Sequence, residues 1–517
     1  MPIGADLLCE TLLANGIDTC FANPGTSEMH FVAALDRQPR IRCVLGLFEG
    51  VVTGAADGYA RMADRPAATL LHTGPGLANG LANLHNARRA RTPMVNIVGD
   101  HATYHLELDA PLTSDIEGLA RPMSNWVGRA DHVTTLVPRT EEAIRAAHAG
   151  QGQIATLILP ADAAWTETDA PLPQPVALPV QSAPDAARIA EAVAALRNGR
   201  RTTILVAGRA LRAASLETLQ RIATRTGARI LAQQSNARVE RGTGRVAIER
   251  VPYPIDMQLA TFADTEQLIL IGARAPVGFF AYPGKPGSML PPGCRVLDMT
   301  APDADLPAAV QALADGVGAG RDAPLVLNTA LRPDAPAGGL TAEKVAASVA
   351  RHLPDHAILC DEAVTSARNI FGITHGAAPH DFLQLTGGAI GIGLPLAMGA
   401  AIACPGRKVV ALQADGSGMY TLQALWTMAR ERCDVVVVIY ANRRYNILHG
   451  ELQAVGAGQP GENARRMLDL DNPHLDWVRM AEGMGVEAAR AETAEAFDDL
   501  FRVACASRGP FLIEAVI

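Results

Sequence analysis

Two short stretches put groups able to hold a metal ion and a phosphate at the ends of apolar strands. They are Ala414-Asp415-Gly416-Ser417-Gly418, after the strand expected at Val409–Leu412, and Asn442, after the strand expected at Val435–Tyr440. In an open parallel sheet, ligands bind beyond the carboxyl ends of strands, and backbone amides at the start of a helix favour an anion. The first stretch can therefore hold a phosphate, with Asp415 beside it. Two negative groups side by side repel unless a hard divalent cation with oxygen ligands lies between them. Asn442 follows 27 residues later, one helix and one strand on, so its amide oxygen can reach the same ion. Asp, Asn and a backbone carbonyl leave octahedral positions for phosphate oxygens and water, which suits Mg2+. Either piece alone reads as a turn or a strand-end cap. The pair, each after an apolar strand, points to a metal–phosphate site.

The rest of the chain has to position this site. At roughly 100–200 residues per domain, 517 residues predict about three domains. Hydrophobic residues at 49% and charged residues at 19% supply ample core and exclude disorder. Strand candidates at Thr19–Ala22, Arg42–Leu47, Ala68–His72, Met94–Val98 and Ala155–Leu159 alternate with helical patterns, which implies a parallel sheet. A proline-rich passage from Thr166 to Asp185 reads as a linker, and Gly316–Gly339 is rich in Gly and Pro as well. The expected division is 1–165, a central 186–330 and 340–517, each a doubly wound α/β domain. A net charge of −8 argues against nucleic acid as the main partner. Eight scattered cysteines without a CxxC pair suit reduced thiols, and no long apolar run or basic leader is evident, so a soluble, cytoplasmic protein is expected, with no membrane partner.

The Asp415/Asn442 pair resembles the metal–diphosphate motif of thiamine diphosphate enzymes, a GDG followed by a spacer and NN. Ala414 and Ala441 replace the first Gly and the first Asn, while both metal-ligand types remain. The resemblance implies three metal ligands, Asp415, Asn442 and the backbone carbonyl of Arg444, with Gly416, Ser417 and Asn442 at the diphosphate. It extends to the amino-terminal region, where FANPGTSE (Phe21–Glu28) and LFEGVVTGAADGYAR (Leu47–Arg61) look like the pyrimidine-binding domain of that superfamily. There Glu49 matches the glutamate that hydrogen-bonds the aminopyrimidine ring and drives proton removal from the thiazolium. In LTGGAIG (Leu385–Gly391), Gly388 matches a backbone carbonyl contacting the pyrimidine, and Ile390 matches the bulky residue that bends the cofactor. Gly387, Gly388, Gly391 and Gly416 are then expected where backbone must approach the cofactor. Reading these glycines as a dinucleotide fingerprint fails for want of a third Gly.

Within the superfamily, His72 stands where benzoylformate decarboxylases have an active-site histidine, and Thr26 where they have a substrate-contacting serine. The segment Asp109–Pro122 aligns with acetolactate synthases, but Pro111 and Leu112 replace a Phe and a Gln of the carboligation site. In APVGFFAYPG (Ala275–Gly284) no second histidine is found. The resemblance thus implies a thiamine diphosphate- and Mg2+-dependent, non-oxidative decarboxylase of a 2-oxo acid, releasing CO2 and an aldehyde, with Glu49 and His72 catalytic and Thr26, Leu112, Ile447 and Leu448 lining the substrate. The alternatives are an acetolactate synthase-like carboligase and a non-catalytic regulatory protein that kept the cofactor fold. FAD, carried by acetolactate synthases, is considered and not expected. A homodimer or homotetramer follows from the family habit of building each site between subunits. Arg88–Arg91 reads as a dipole-complementing helix end. His101 and His105 read as loop residues, and Trp426 and Met428 as core.

Overall fold

A computed structural model describes residues 1–517. Three sheets carry the chain, two of them all parallel and the third parallel but for one edge strand. The first contains β1 (Thr19–Asn23), β2 (Arg42–Leu45), β3 (Ala67–His72), β4 (Met94–Asp100), β5 (Trp126–Arg129) and β6 (Ile154–Pro160) in the order β2-β1-β3-β4-β6-β5. The runs MVNIVGD and IATLILP are buried along their whole length, as parallel strands covered by helices on both faces must be. The central segment supplies β7 (Thr202–Val206), β8 (Arg229–Ala232), β9 (Val239–Arg241), β10 (Glu249–Arg250), β11 (Gln267–Ile271) and β12 (Arg295–Asp298). Five of these form a second sheet in the order β10-β8-β7-β11-β12. The carboxy-terminal segment adds β13 (Ala357–Glu362), β14 (His380–Gln384), β15 (Val409–Ala414), β16 (Val435–Ala441), β17 (Glu487–Ala491) and β18 (Phe511–Val516). The third sheet runs β17-β18-β16-β15-β13-β14-β9. Its last member, β9, leaves the central segment and pairs antiparallel with β14, Phe382 opposite Val239.

Two helices join the first and third sheets into one core. Helix Glu49–Ala63 is buried on every side but its last residue, and helix Gly393–Ala403 is apolar throughout, the pattern of a helix with no solvent face. Glycines let their backbones touch. A β-carbon at Gly58 would stand 2.0 Å from the Leu396 carbonyl oxygen, and one at Gly399 would stand 1.9 Å from that of Ala55. A buried ion pair sits beside this seam: Arg61 binds Asp57 at 2.6 Å and also donates to the Gln384 carbonyl at 2.7 Å. A buried charge left unpaired would be costly, so Asp57 and Arg61 depend on each other.

Several sequence expectations shift. β15 runs on to Ala414, and Asp415–Gly418 is itself a single helical turn. Met428 is fully buried, but Trp426 is only half-buried, with the Arg430 guanidinium 5.3 Å above its ring. His101 and His105 face each other across a short 3-10 turn, ring centroids 5.6 Å apart. No helix is long and apolar enough to cross a membrane.

Candidate active site

The loop after β14 is held by side chains of the first domain. Asn86 Oδ1 accepts from the amides of Gly387 (3.1 Å) and Ala389 (3.2 Å), and its Nδ2 donates to the Ala389 carbonyl at 2.7 Å. His85 Nε2 meets the Gly387 carbonyl at 3.0 Å. A β-carbon at Gly387 would lie 2.6 Å from Asn86 Oδ1, so the chain's own packing already requires a glycine here. Gly388, with φ +82°, turns outward, and Ile390 follows it into the wall of a cavity of about 1590 Å³. Gly391, at φ +99°, and Gly393 turn their amides onto buried Glu362. That internal carboxylate takes up the amides of both glycines. Burial pushes Glu362 up to about 7 against those two amide donors.

At the ends of β15 and β16, Asp415 is 2% exposed and accepts only from backbone: Gly416 N at 2.8 Å and Arg443 N at 2.6 Å. The second bond ties it to the turn Asn442-Arg443-Arg444. Asn442 Oδ1 in turn accepts from Arg444 N at 3.1 Å. No cationic side chain pairs with Asp415, and burial pushes it up to about 6, the state of a carboxylate that lacks a counter-ion. No cluster of three His, Cys, Asp or Glu stands ready for a metal. The donors that converge here are instead one carboxylate, one amide oxygen and backbone, a hard-oxygen set that fits a divalent ion completed by phosphate oxygens. Ser417 is engaged within the chain, its hydroxyl donating to the Ala414 carbonyl at 3.2 Å. Tyr445 covers Gly416, where a β-carbon would meet its ring at 2.5 Å.

The first sheet presents a second cluster. Glu49, 8% exposed, opens its helix, and Asn79 Nδ2 donates to its Oε2 at 3.0 Å. His72 ends β3. A β-carbon at Gly76 would stand 3.3 Å from Glu49 Oε1 and 3.5 Å from His72 Cβ, so the two side chains flank one spot. The sequence reading misses Glu28. Buried to 1%, it holds His72 Nδ1 at 2.9 Å and accepts from Gly25 N at 2.7 Å. Burial raises its carboxyl above the usual range, opposed by Gly25 and His72. Two glycines could have signalled it: a β-carbon at Gly99 would fall 1.7 Å from Glu28 Oε1, and one at Gly25 would fall 2.3 Å from the His72 ring. Thr26, which opens the short 3-10 helix Thr26–Glu28, and Leu112, in a turn, are exposed.

Ile447 and Leu448, on helix Asn446–Ala454, line the large cavity with Gly388 and Ile390, whereas Glu49, His72, Thr26 and Leu112 do not. The segment that lacks a second histidine contributes Phe279 and Phe280 to that cavity. The two halves expected to meet on one cofactor therefore face separate spaces within a single chain.

Three parallel-sheet domains, with a buried helix-opening glutamate on the first and an Asp/Asn strand-end pair on the third, define a thiamine diphosphate-binding protein. The family models agree: the N-terminal TPP-binding domain of thiamine pyrophosphate enzymes matches residues 3–119, and the C-terminal TPP-binding domain matches 367–515. The chain belongs to the thiamine pyrophosphate enzymes, in the group that holds acetolactate synthases and benzoylformate decarboxylases. It is 50% identical over 99% of both chains to a Mycobacterium tuberculosis protein provisionally named acetolactate synthase large subunit IlvX. It is 30% identical to the benzoylformate decarboxylase of Pseudomonas aeruginosa, over 98% of this chain and 97% of that one. Among solved structures, a thiamine diphosphate-dependent 4-hydroxybenzoylformate decarboxylase from Rhodococcus jostii superposes with a TM-score of 0.85 at 25% identity, covering 99% of this chain and 98% of that one.

Proposed function

We propose that this enzyme decarboxylates a 2-oxo acid without oxidation, using thiamine diphosphate and Mg2+, and releases CO2 and an aldehyde. The observation that carries the reading is the Glu49–His72 juxtaposition, with Glu28 fixing the histidine. Thiamine diphosphate, when bound, supplies a nucleophilic carbon and an electron sink. Glu49 holds the proton that activates the aminopyrimidine, and Asn79 orients its carboxylate so that Oε1 remains free for that contact. Held at Nδ1 by Glu28, His72 keeps Nε2 for the substrate and its product-forming protonation. Asp415, Asn442 and the Arg444 carbonyl would hold Mg2+, with Gly416 and Ser417 at the diphosphate. Gly388 and Ile390 would meet the pyrimidine and the bend of the cofactor. Thr26, Leu112, Ile447 and Leu448 would contact substrate.

In this reading residues 1–165 bind the pyrimidine, 340–517 bind the diphosphate, and 186–330 form a central domain. Each site needs the first domain of one copy and the third of another, in a homodimer or homotetramer. The separation of the Glu49 cluster from the cavity beside Gly388 supports this. The enzyme works in the cytoplasm, and no flavin enters the reading; a yellow absorbance retained by the pure protein would overturn that last point.

A second reading, carboligation to a second 2-oxo acid or aldehyde, is favoured by the name of the 50% identical relative. Incubation with pyruvate and with benzoylformate, followed by separation of aldehyde from acyloin or acetolactate, distinguishes the two. For Glu49, NMR of proton exchange at the thiazolium C2 is the direct test. Exchange should slow strongly in Glu49→Gln, and equal rates in variant and wild type would remove Glu49 from the mechanism.

A further inference from the structure

The large cavity is lined by a carboxylate, Glu451, that the chemistry above leaves unused. Glu451 lies on helix Asn446–Ala454, four residues after Ile447 and three after Leu448, so the three share one helix face. Two tyrosines of the central segment reach across to it. Tyr282 donates its hydroxyl to Glu451 Oε1 at 3.2 Å, and Tyr253 donates to the same oxygen at 3.5 Å. Burial first, and then the carboxylate itself, hold the Tyr253 phenol above its ordinary range, so it stays a neutral donor. Both bonds fall on Oε1, and Oε2 has no hydrogen-bond partner in the chain.

A chain of contacts ties this carboxylate to the cofactor loop. A β-carbon at Gly388 would lie 2.7 Å from Phe279 Cζ, and the Phe279 ring packs 5.4 Å from that of Tyr253, which reaches Glu451. The distance from Gly388 to Glu451 is thus spanned by two aromatic side chains. Phe279, Phe280, Ile447 and Leu448 add apolar side chains to the wall of the same cavity. A ligand body that fills this space displaces water from Glu451. An acceptor stripped of water and left without a donor is costly, so a ligand ending in carbon is penalised and one ending in a donor is not.

We infer that Glu451 selects a 2-oxo acid whose aromatic-sized apolar body ends in a hydrogen-bond donor, a hydroxyl or an amine, received by Oε2. The 2-oxo acid end rests on the decarboxylase reading; the donor at the far end rests on Glu451 alone.

The two are tested apart. Mandelate, 4-hydroxymandelate and 4-methylmandelate carry no ketone to decarboxylate, and their binding to the enzyme loaded with thiamine diphosphate and Mg2+ is measured by calorimetry. The 4-hydroxy compound should bind about 10–100-fold tighter than the 4-methyl one, the range of a hydrogen bond to a charged group. In Glu451→Leu that ratio should fall toward one. Should Glu451→Leu not fold, Glu451→Gln keeps an oxygen for the tyrosines but removes the charge, and the ratio should still fall. Equal affinities in wild type, no binding of any of the three, or a ratio unchanged in the variants would overturn the inference. If the wild type prefers 4-hydroxymandelate yet releases no CO2 from benzoylformate or 4-hydroxybenzoylformate, the decarboxylase reading fails and the Glu451 assignment stands.

Discussion

Gly25→Ala separates the contribution of His72 from that of Glu49. The backbone at Gly25 has φ −127° and ψ −164°, a conformation open to any residue, so the substitution adds no strain of its own. Its whole effect is steric, because the new methyl would stand 2.3 Å from His72 Cγ and 2.4 Å from Nδ1, against an ordinary contact beginning at 3.4 Å. The ring must therefore retreat by about 1 Å, and displacements of that size cost on the order of 100-fold in rate when the moved group takes part in the reaction. With its side chain 21% exposed, His72 has room to move outward, so the fold should survive. The three atoms nearest the methyl all belong to the His72 ring. Two assays on one preparation read the split. Exchange of the thiazolium C2 proton should stay near the wild-type rate, while steady-state aldehyde formation falls by about 100-fold. Aldehyde formation at the wild-type rate would refute the role of His72. An equal fall in both assays would show that the two groups act as one unit.

Three other outcomes follow from the packing and the charges. Glu362 sits at about 7 in the folded chain against an ordinary 4.5, so its contribution to stability is full below pH 4.5 and lost as the pH rises through 7. Relative to Glu362→Gln, wild type should lose about 3 kcal/mol of unfolding free energy between pH 4 and pH 8, and parallel urea-denaturation profiles would sink this. Gly399→Ala drives a methyl to 1.9 Å from the Ala55 carbonyl oxygen. Overpacking of about 1–3 kcal/mol should exceed the helix-propensity gain of about 1 kcal/mol, and a variant as stable as wild type in denaturant would contradict the close seam. Asp415→Asn should weaken thiamine diphosphate binding and abolish its response to added Mg2+, whereas in wild type chelation with EDTA should release the cofactor and Mg2+ should restore it; titration of cofactor-induced fluorescence changes reads both.

The features legible in the sequence are those whose signal is local. An apolar strand followed by Asp-Gly-Ser-Gly is readable without knowing what packs nearby, and so is a Glu opening a helix of small residues. Glu28 lies inside a legible motif yet gives no sign of its role, because its partner His72 is 44 positions away and meets it only when β1 and β3 become neighbours. Gly387 misleads for the same reason. Its constraint in the chain comes from Asn86, on a helix of the first domain 301 positions earlier. Glu451 could be noticed by its spacing from Ile447, but nothing local announces two tyrosines arriving from the central segment. Side chains that act through long-range contacts carry no periodic signature.

The strand β9 also bears on the order in which the chain can assemble. An exposed strand edge invites pairing with other chains, and β9 covers the edge of β14. Residues 239–241 leave the ribosome more than a hundred positions before β14 exists, so the protecting strand is made first and waits for the edge it will cover. Throughout synthesis of the carboxy-terminal sheet its vulnerable side already has a partner tethered nearby, whereas a carboxy-terminal fragment expressed alone would begin with that edge bare and be drawn toward aggregation.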